Sequence, residues 1–168
     1  MNFDPETLDL AVRVLNANRA AGRTVATAES CTGGLVAGAL TEIAGSSDVV
    51  DRGFVTYSNE AKTQMLGVAV DLIETFGAVS IAVAWAMAQG ALQRSNADIA
   101  VAITGVAGPG GGSVEKPVGT VVFARAVRGG DAKAIVADIK QFGDLGRSEI
   151  RVQAVRCALE LLMPDDAP

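Results

Sequence analysis

The chain contains no histidine. The one side chain whose ordinary pKa lies near neutrality is therefore missing. Any proton transfer must use another group, and metal sites built on imidazole are excluded. Two cysteines, Cys31 and Cys157, are too few for a disulfide scaffold and have no zinc-site spacing. Aromatic residues make up only 4% of the chain, so a core must be built from Ala, Val, Leu and Ile. Positive charge is also short: 14 Lys and Arg against 19 Asp and Glu give a net charge of -5. That balance argues against a broad nucleic-acid or anionic-membrane surface, and leaves room only for a local basic pocket. No apolar run reaches the roughly 18–20 residues of a membrane span. The opening Met1-Asn2-Phe3-Asp4 has no signal-peptide character. The expectation is a soluble, cytoplasmic protein without nucleic-acid or membrane partners.

What is present is a large apolar fraction. At 168 residues and 49% hydrophobic content the chain suits a single domain spanning 1–168. Asp4-Pro5-Glu6 reads as a helix start, with a capping carboxylate, a proline at the first position and an acidic first turn. Residues 24–28 read as a short strand and 33–43 as a buried helix. A second strand is expected over 49–57, then short helices from Ser58 to Met65 and over 72–76. A longer, alanine-rich helix is expected over 80–94. Residues 98–103 form a continuous apolar run of the kind found in strands covered on both faces. A Gly/Pro-rich loop over 104–118 leads to strands at 119–127 and 132–139, joined through Arg128-Gly129-Gly130-Asp131. A last helix is expected over 147–163. Strands alternating with helices, followed by a hairpin, predict a three-layer α/β/α sandwich on a mixed, mainly parallel sheet.

Four segments carry candidate chemistry. Glu29-Ser30-Cys31-Thr32-Gly33-Gly34 sits at a strand-to-helix turn, where backbone N–H groups and two glycines favour an anion or a nucleophile. An ordinary helix cap is the alternative. Cys31 is either a thiol activated by the helix start or a small core residue. Thr56 to Lys62 follows the second strand, and in open α/β sheets ligands gather beyond the carboxyl ends of parallel strands. Ser30 and Lys62 are thus candidates for one crevice, with burial lowering the lysine pKa enough to make it a base. Tyr57 is placed to orient that amine. The glycine loop from Thr104 and Gly105 through Gly108 suits a phosphate nest, but matches neither the P-loop nor the dinucleotide fingerprint. Arg147 opens the last helix against the dipole preference, which fits an external anion or an ion pair with Glu149 or Asp144.

Five ordered motifs together resemble one family. They are Thr27-Ala28-Glu29-Ser30-Cys31-Thr32-Gly33-Gly34, the run from Gly53 to Lys62, Gly77-Ala78-Val79-Ser80, Thr104-Gly105-Val106-Ala107-Gly108-Pro109, and the run from Glu115 to Val121. The chain is similar to the C-terminal domain of the competence/damage-inducible protein CinA, a domain that also occurs alone as a bacterial nicotinamide-nucleotide amidase. The likeness covers residues 8 to 162. It departs from the pattern at Ile81 in place of Glu, Gly110 in place of Asp, and Leu145-Gly146-Arg147 in place of Gly-Asp-Arg. The resemblance implies a dimeric α/β/α protein that hydrolyses the carboxamide of nicotinamide mononucleotide, with Ser30 as nucleophile and Lys62 as base. Tyr57 would assist. Thr32, Gly33, Gly34, Thr104, Gly105, Gly108 and Arg147 would bind the substrate. Backbone N–H groups of residues 32 to 34 would hold the oxyanion, and the scheme requires neither metal nor cofactor. The competing expectations are a non-catalytic nucleotide-binding module using the same pocket and an enzyme based on the Cys31 thiol.

Overall fold

A computed structural model describes residues 3–131 and 136–164. The chain order is α1 (Pro5–Ala20), β1 (Val25–Glu29), α2 (Leu35–Thr41), β2 (Val50–Val55), α3 (Asn59–Leu66), α4 (Val70–Phe76), α5 (Ile81–Gln93), β3 (Ile99–Gly105), β4 (Thr120–Val127), β5 (Val136–Gln141) and α6 (Arg147–Leu161). The five strands lie in the order β2-β1-β3-β4-β5. The β1 strand pairs parallel with β2 and β3, whereas β4 is antiparallel to both β3 and β5. Four strands thus share one direction and β4 opposes them, the mixed sheet the sequence implies.

The two faces of the sheet are packed differently, and the period-2 alternation of the strands decides how. Val25, Ile99, Val101, Ile103, Val121 and Phe123 point to the side of α1, α2 and α6. Ala26, Ala28, Ala100, Ala102, Ala124 and Ala126 point to the side of α5, where Ala84, Ala88 and Ala91 meet them. Large side chains therefore hold one helical layer, and small ones let α5 lie close on the other.

Local signals set the helix starts. Asp4 accepts from the Thr7 amide at 3.0 Å and caps α1, with Pro5 in its first turn. Ser58 caps α3 and Ser80 caps α5 through the amides of Ala61 and Val83. Two boundaries differ from the sequence expectation in ways that matter. The α2 helix begins at Leu35 rather than Gly33, because Gly33 (φ 61°) and Gly34 (φ 94°) take left-handed backbone. Such backbone cannot continue a right-handed helix. The β3 strand runs on through Thr104 and Gly105, pairing with Val122 and Val121, so these two residues belong to the sheet and not to the following loop. The expected start of the last strand at Ala132 lies outside the described residues, and β5 is seen from Val136.

Candidate functional site

Strand register brings the candidate residues into one row. Glu29 is aligned with Val55 on one side and Ile103 on the other. The next residues, Ser30, Thr56 and Thr104, therefore stand side by side toward the carboxyl ends of three parallel strands, Ser30 and Thr56 just past β1 and β2 and Thr104 still within β3. The ladder continues one step beyond the strands. The Ser30 amide donates to Ile103 O at 2.9 Å, and the Thr56 amide donates to Glu29 O at 2.7 Å.

The Lys62 side chain, on the first turns of α3, reaches back to this row. Its Nζ lies 3.1 Å from Ser30 Oγ, 2.9 Å from Thr56 O and 3.5 Å from Ser58 O. Lys62 is 2% exposed, and among the described residues no carboxylate is paired with it. Burial pushes its pKa below the ordinary value of 10.5, against a smaller opposing effect of Cys31. A neutral amine has two N–H donors and one lone pair. The charged amine donates to Ser30 Oγ; once it has lost a proton, two N–H donors remain for the Thr56 and Ser58 carbonyls and the lone pair can accept the Ser30 hydroxyl. That is the arrangement a base needs to activate an alcohol.

The turn that follows Ser30 is held from inside. The fully buried Glu29 carboxylate accepts from the amides of Gly34, Val36 and Ala37 at 3.0, 3.1 and 2.9 Å. It fills the positive end of α2, so that end is not open to an external anion. The Gly33 amide is taken by Ser30 O at 3.0 Å. The expectation that the amides of Gly33 and Gly34 would hold an oxyanion is therefore corrected: both are spent within the turn. Thr32 differs. Among the described residues its amide makes no hydrogen bond, and its buried hydroxyl has no partner. Nothing in the sequence pattern distinguished Glu29 as the cap, because its partners lie five to eight residues ahead, beyond the usual capping spacing.

Cys31 belongs to the core beneath the turn, and burial raises its thiol pKa to about 12. That is the environment of an inert packing thiol rather than a nucleophile.

Arg147 opens α6 as expected, yet pairs with neither Glu149 nor Asp144. Its guanidinium donates to Tyr57 OH at 2.7 Å and to Gly108 O at 2.8 Å, linking the crevice wall to the glycine loop. Tyr57 is 58% exposed and reaches neither Lys62 nor Ser30 by a hydrogen bond. Arg151, one turn further along α6, donates to Cys31 O at 3.1 Å and Thr32 O at 3.0 Å, and so braces the turn after Ser30. Thr104 donates to Ala78 O at 2.9 Å and anchors the α4–α5 turn, while Lys116 reaches Phe76 O at 2.8 Å nearby. A side chain on Gly105 would strike Thr120 O at 2.8 Å, so this glycine permits the approach of β4. Of the sequence-derived residues, Ser30 and Lys62 are in contact, Tyr57, Gly108 and Arg147 form a neighbouring cluster, and Thr104 and Gly105 support the walls.

This geometry defines an α/β/α protein with a buried serine–lysine pair at the carboxyl ends of its parallel strands. The chain belongs to the CinA C-terminal domain family, whose model matches residues 7–165. It is 52% identical over 159 residues to the nicotinamide-nucleotide amidohydrolase PncC of Escherichia coli K12, covering 95% of this chain and 94% of that protein. It is 56% identical over 142 residues to a CinA-like protein of Mycolicibacterium vanbaalenii, covering 84% of this chain and 33% of that one. The chain thus spans about a third of the longer CinA-like relatives and nearly all of the E. coli amidohydrolase. The crystal structure of the competence/damage inducible protein CihA from Agrobacterium tumefaciens superposes with a TM-score of 0.92 at 56% identity, over 96% of both chains. No helix among the described residues is long and apolar enough to cross a membrane.

Proposed function

We propose that this protein is an amidohydrolase that converts the carboxamide of nicotinamide mononucleotide to the carboxylate and ammonia, through Ser30 as nucleophile and Lys62 as base. One observation carries the reading: a buried lysine amine, without a counter-ion among the described residues, lies 3.1 Å from a serine hydroxyl at the strand ends. The name of the E. coli relative supports the choice of substrate. Ser30 Oγ bonds to the amide carbon as its proton passes to Lys62 Nζ. The tetrahedral intermediate then breaks its C–N bond, and Lys62 returns the proton to the departing ammonia. A water repeats the sequence on the acyl-enzyme. Its oxygen bonds to the carbon, its proton goes to Lys62, and the ester C–O bond breaks as Ser30 regains a proton. Tyr57, Gly108 and Arg147 lie beside this centre, where the rest of the nucleotide would lie. We further propose a cytoplasmic homodimer as the working form, which light scattering of the purified protein checks.

The test is ammonia release from nicotinamide mononucleotide, run beside free nicotinamide. The expected result is turnover of the mononucleotide, abolished in Ser30→Ala with the circular dichroism spectrum unchanged. Binding of the mononucleotide without ammonia release would favour a nucleotide-binding module. Normal turnover in Ser30→Ala would remove the nucleophile.

A further inference from the structure

The cations of this chain differ in what they are bonded to. Among the described residues, Arg13, Arg19, Arg52, Lys140 and Arg156 are paired with carboxylates. Lys62, Lys116 and Arg147 donate only to carbonyl and hydroxyl oxygens. The strand register sets these three around one space. Ser30 and Thr104 stand on adjacent strands and face the α5 side of the sheet. Ser30 is met there by Lys62 from α3, and Thr104 by Ala78 O of the α4–α5 turn. The Lys116 amine lies on the same wall as Ala78, bonded at 2.8 Å to Phe76 O two residues earlier. From Lys116 to Ser30 the steps are two residues of chain, at most about 7 Å, and one strand spacing of about 4.8 Å. Together they are of the size of a mononucleotide. The base of Lys116 is fixed: its amide donates to Ser113 Oγ at 3.1 Å, and the Ser113 amide donates to Lys116 O at 3.0 Å. The other end of this loop meets Arg147 through Gly108 O. Arg128 and Arg151 also donate only to carbonyls, but each joins two or three of them and so acts as a brace. An ammonium has three N–H donors. Lys116 gives one, in a bond open to solvent.

We propose that Lys116 is a specificity-determining residue: holding Phe76 O with one N–H, its ammonium gives another to the phosphate of the mononucleotide. The inference rests on the amidase reading and deepens it, by naming a residue that selects the phosphorylated substrate over the riboside. A chain of net charge -5 repels a phosphate dianion unless positive charge is gathered where the ligand enters. A lysine already paired with a carboxylate has its charge neutralised. One bonded to a carbonyl keeps it, and a charge-assisted bond to phosphate is stronger than a bond to a neutral acceptor.

The experiment measures by calorimetry the Kd of nicotinamide mononucleotide and of nicotinamide riboside, which lacks the phosphate. Ser30→Ala serves as the reference, so that no turnover occurs, and Lys116→Met is added to it. The quantity compared is the Kd of the riboside divided by that of the mononucleotide. This preference should fall about 10-fold when Lys116→Met is added. A lysine that only shapes the crevice would weaken both ligands together, so an unchanged ratio overturns the assignment. If the riboside binds too weakly to measure, the salt dependence of mononucleotide binding decides. Its Kd should rise less steeply with ionic strength in the Lys116→Met protein, and equal slopes overturn the assignment. Failure of the mononucleotide to bind the Ser30→Ala reference overturns it too. Ammonia release by the wild type is scored separately. The expected change of ratio without release sinks the amidase reading and leaves Lys116 in place, whereas release with an unchanged ratio sinks Lys116 alone.

Discussion

Two lysines, one buried and one exposed on the edge strand, show what the fold does to one functional group. At the outer strand β5, Lys140 is exposed and its amine lies 2.7 Å from the Asp138 carboxylate. The bond to Asp138, and then the charge of that group, raise the Lys140 pKa above 10.5. At the strand ends beside β1, Lys62 is buried among carbonyls and a hydroxyl, and desolvation drives its pKa the other way. The residues are chemically identical. The difference lies in the surroundings: a carboxylate holds the proton on, whereas the loss of hydration on burial favours its release. The same contrast separates a surface ion pair, which contributes little to stability, from a buried amine held in a costly state, the kind of group that clusters at functional sites.

The sharpest way to break this comparison is to replace each lysine by methionine. Lys62→Met should lose at least about 10³-fold in kcat for ammonia release. The same variant should be more stable than wild type by thermal denaturation, since a buried amine gives way to an apolar side chain. Lys140→Met should leave the rate and the Tm within experimental scatter, and a large loss of rate there would contradict the assignment of the base.

The pH dependence sharpens the contrast further. For Lys62 the folded pKa lies below the unfolded value of 10.5. Between those two values the unfolded chain holds more protons, so stability contributed by this group rises with pH across that window. The rate should rise as pH passes through the folded pKa, where the amine becomes neutral, and level off above it. A pH–rate profile with no ascending limb below 10.5 would remove Lys62 as the base, and Lys62→Met should abolish that group's part of the stability rise.

A smaller effect is expected from a group of the opposite kind. Asp4 caps α1 and meets Arg156 at 2.8 Å. Its bonds to the Thr7 hydroxyl and amide, with Arg156 behind them, lower its pKa from 3.8 to about 2. Its stabilising effect is complete above 3.8 and is lost as pH falls through about 2. Asp4→Ala should cost about 1 kcal/mol in chemical denaturation, with the rate at neutral pH unchanged.

Much of this was legible in the chain itself. The alternation of large and small apolar residues in 99–103 announces a strand covered on both sides, and Asp4, Ser58 and Ser80 signal helix starts by local chemistry alone. Ser30 and Lys62 could be linked because parallel strands share an end. What could not be read is long-range or depends on a few dihedral angles. The partners of Arg147 lie 39 and 90 residues away. The Glu29 cap exists only because two left-handed glycines fold α2 back over it. Thr104 and Gly105 resemble the start of a loop in sequence, and only their pairing with β4 places them in the sheet.

The ladder bonds from Ser30 to Ile103 and from Thr56 to Glu29 carry one last consequence. Ser30 is fastened by its amide to the end of β3, and Lys62, reaching in from α3, is tied to the same strand ends through Thr56 O. Turnover should therefore serve as a gauge of the middle of the molecule. In rising urea, activity should disappear together with the far-ultraviolet signal, and the Ser30 and Thr56 amide protons should exchange with solvent as slowly as those in the middle of β1.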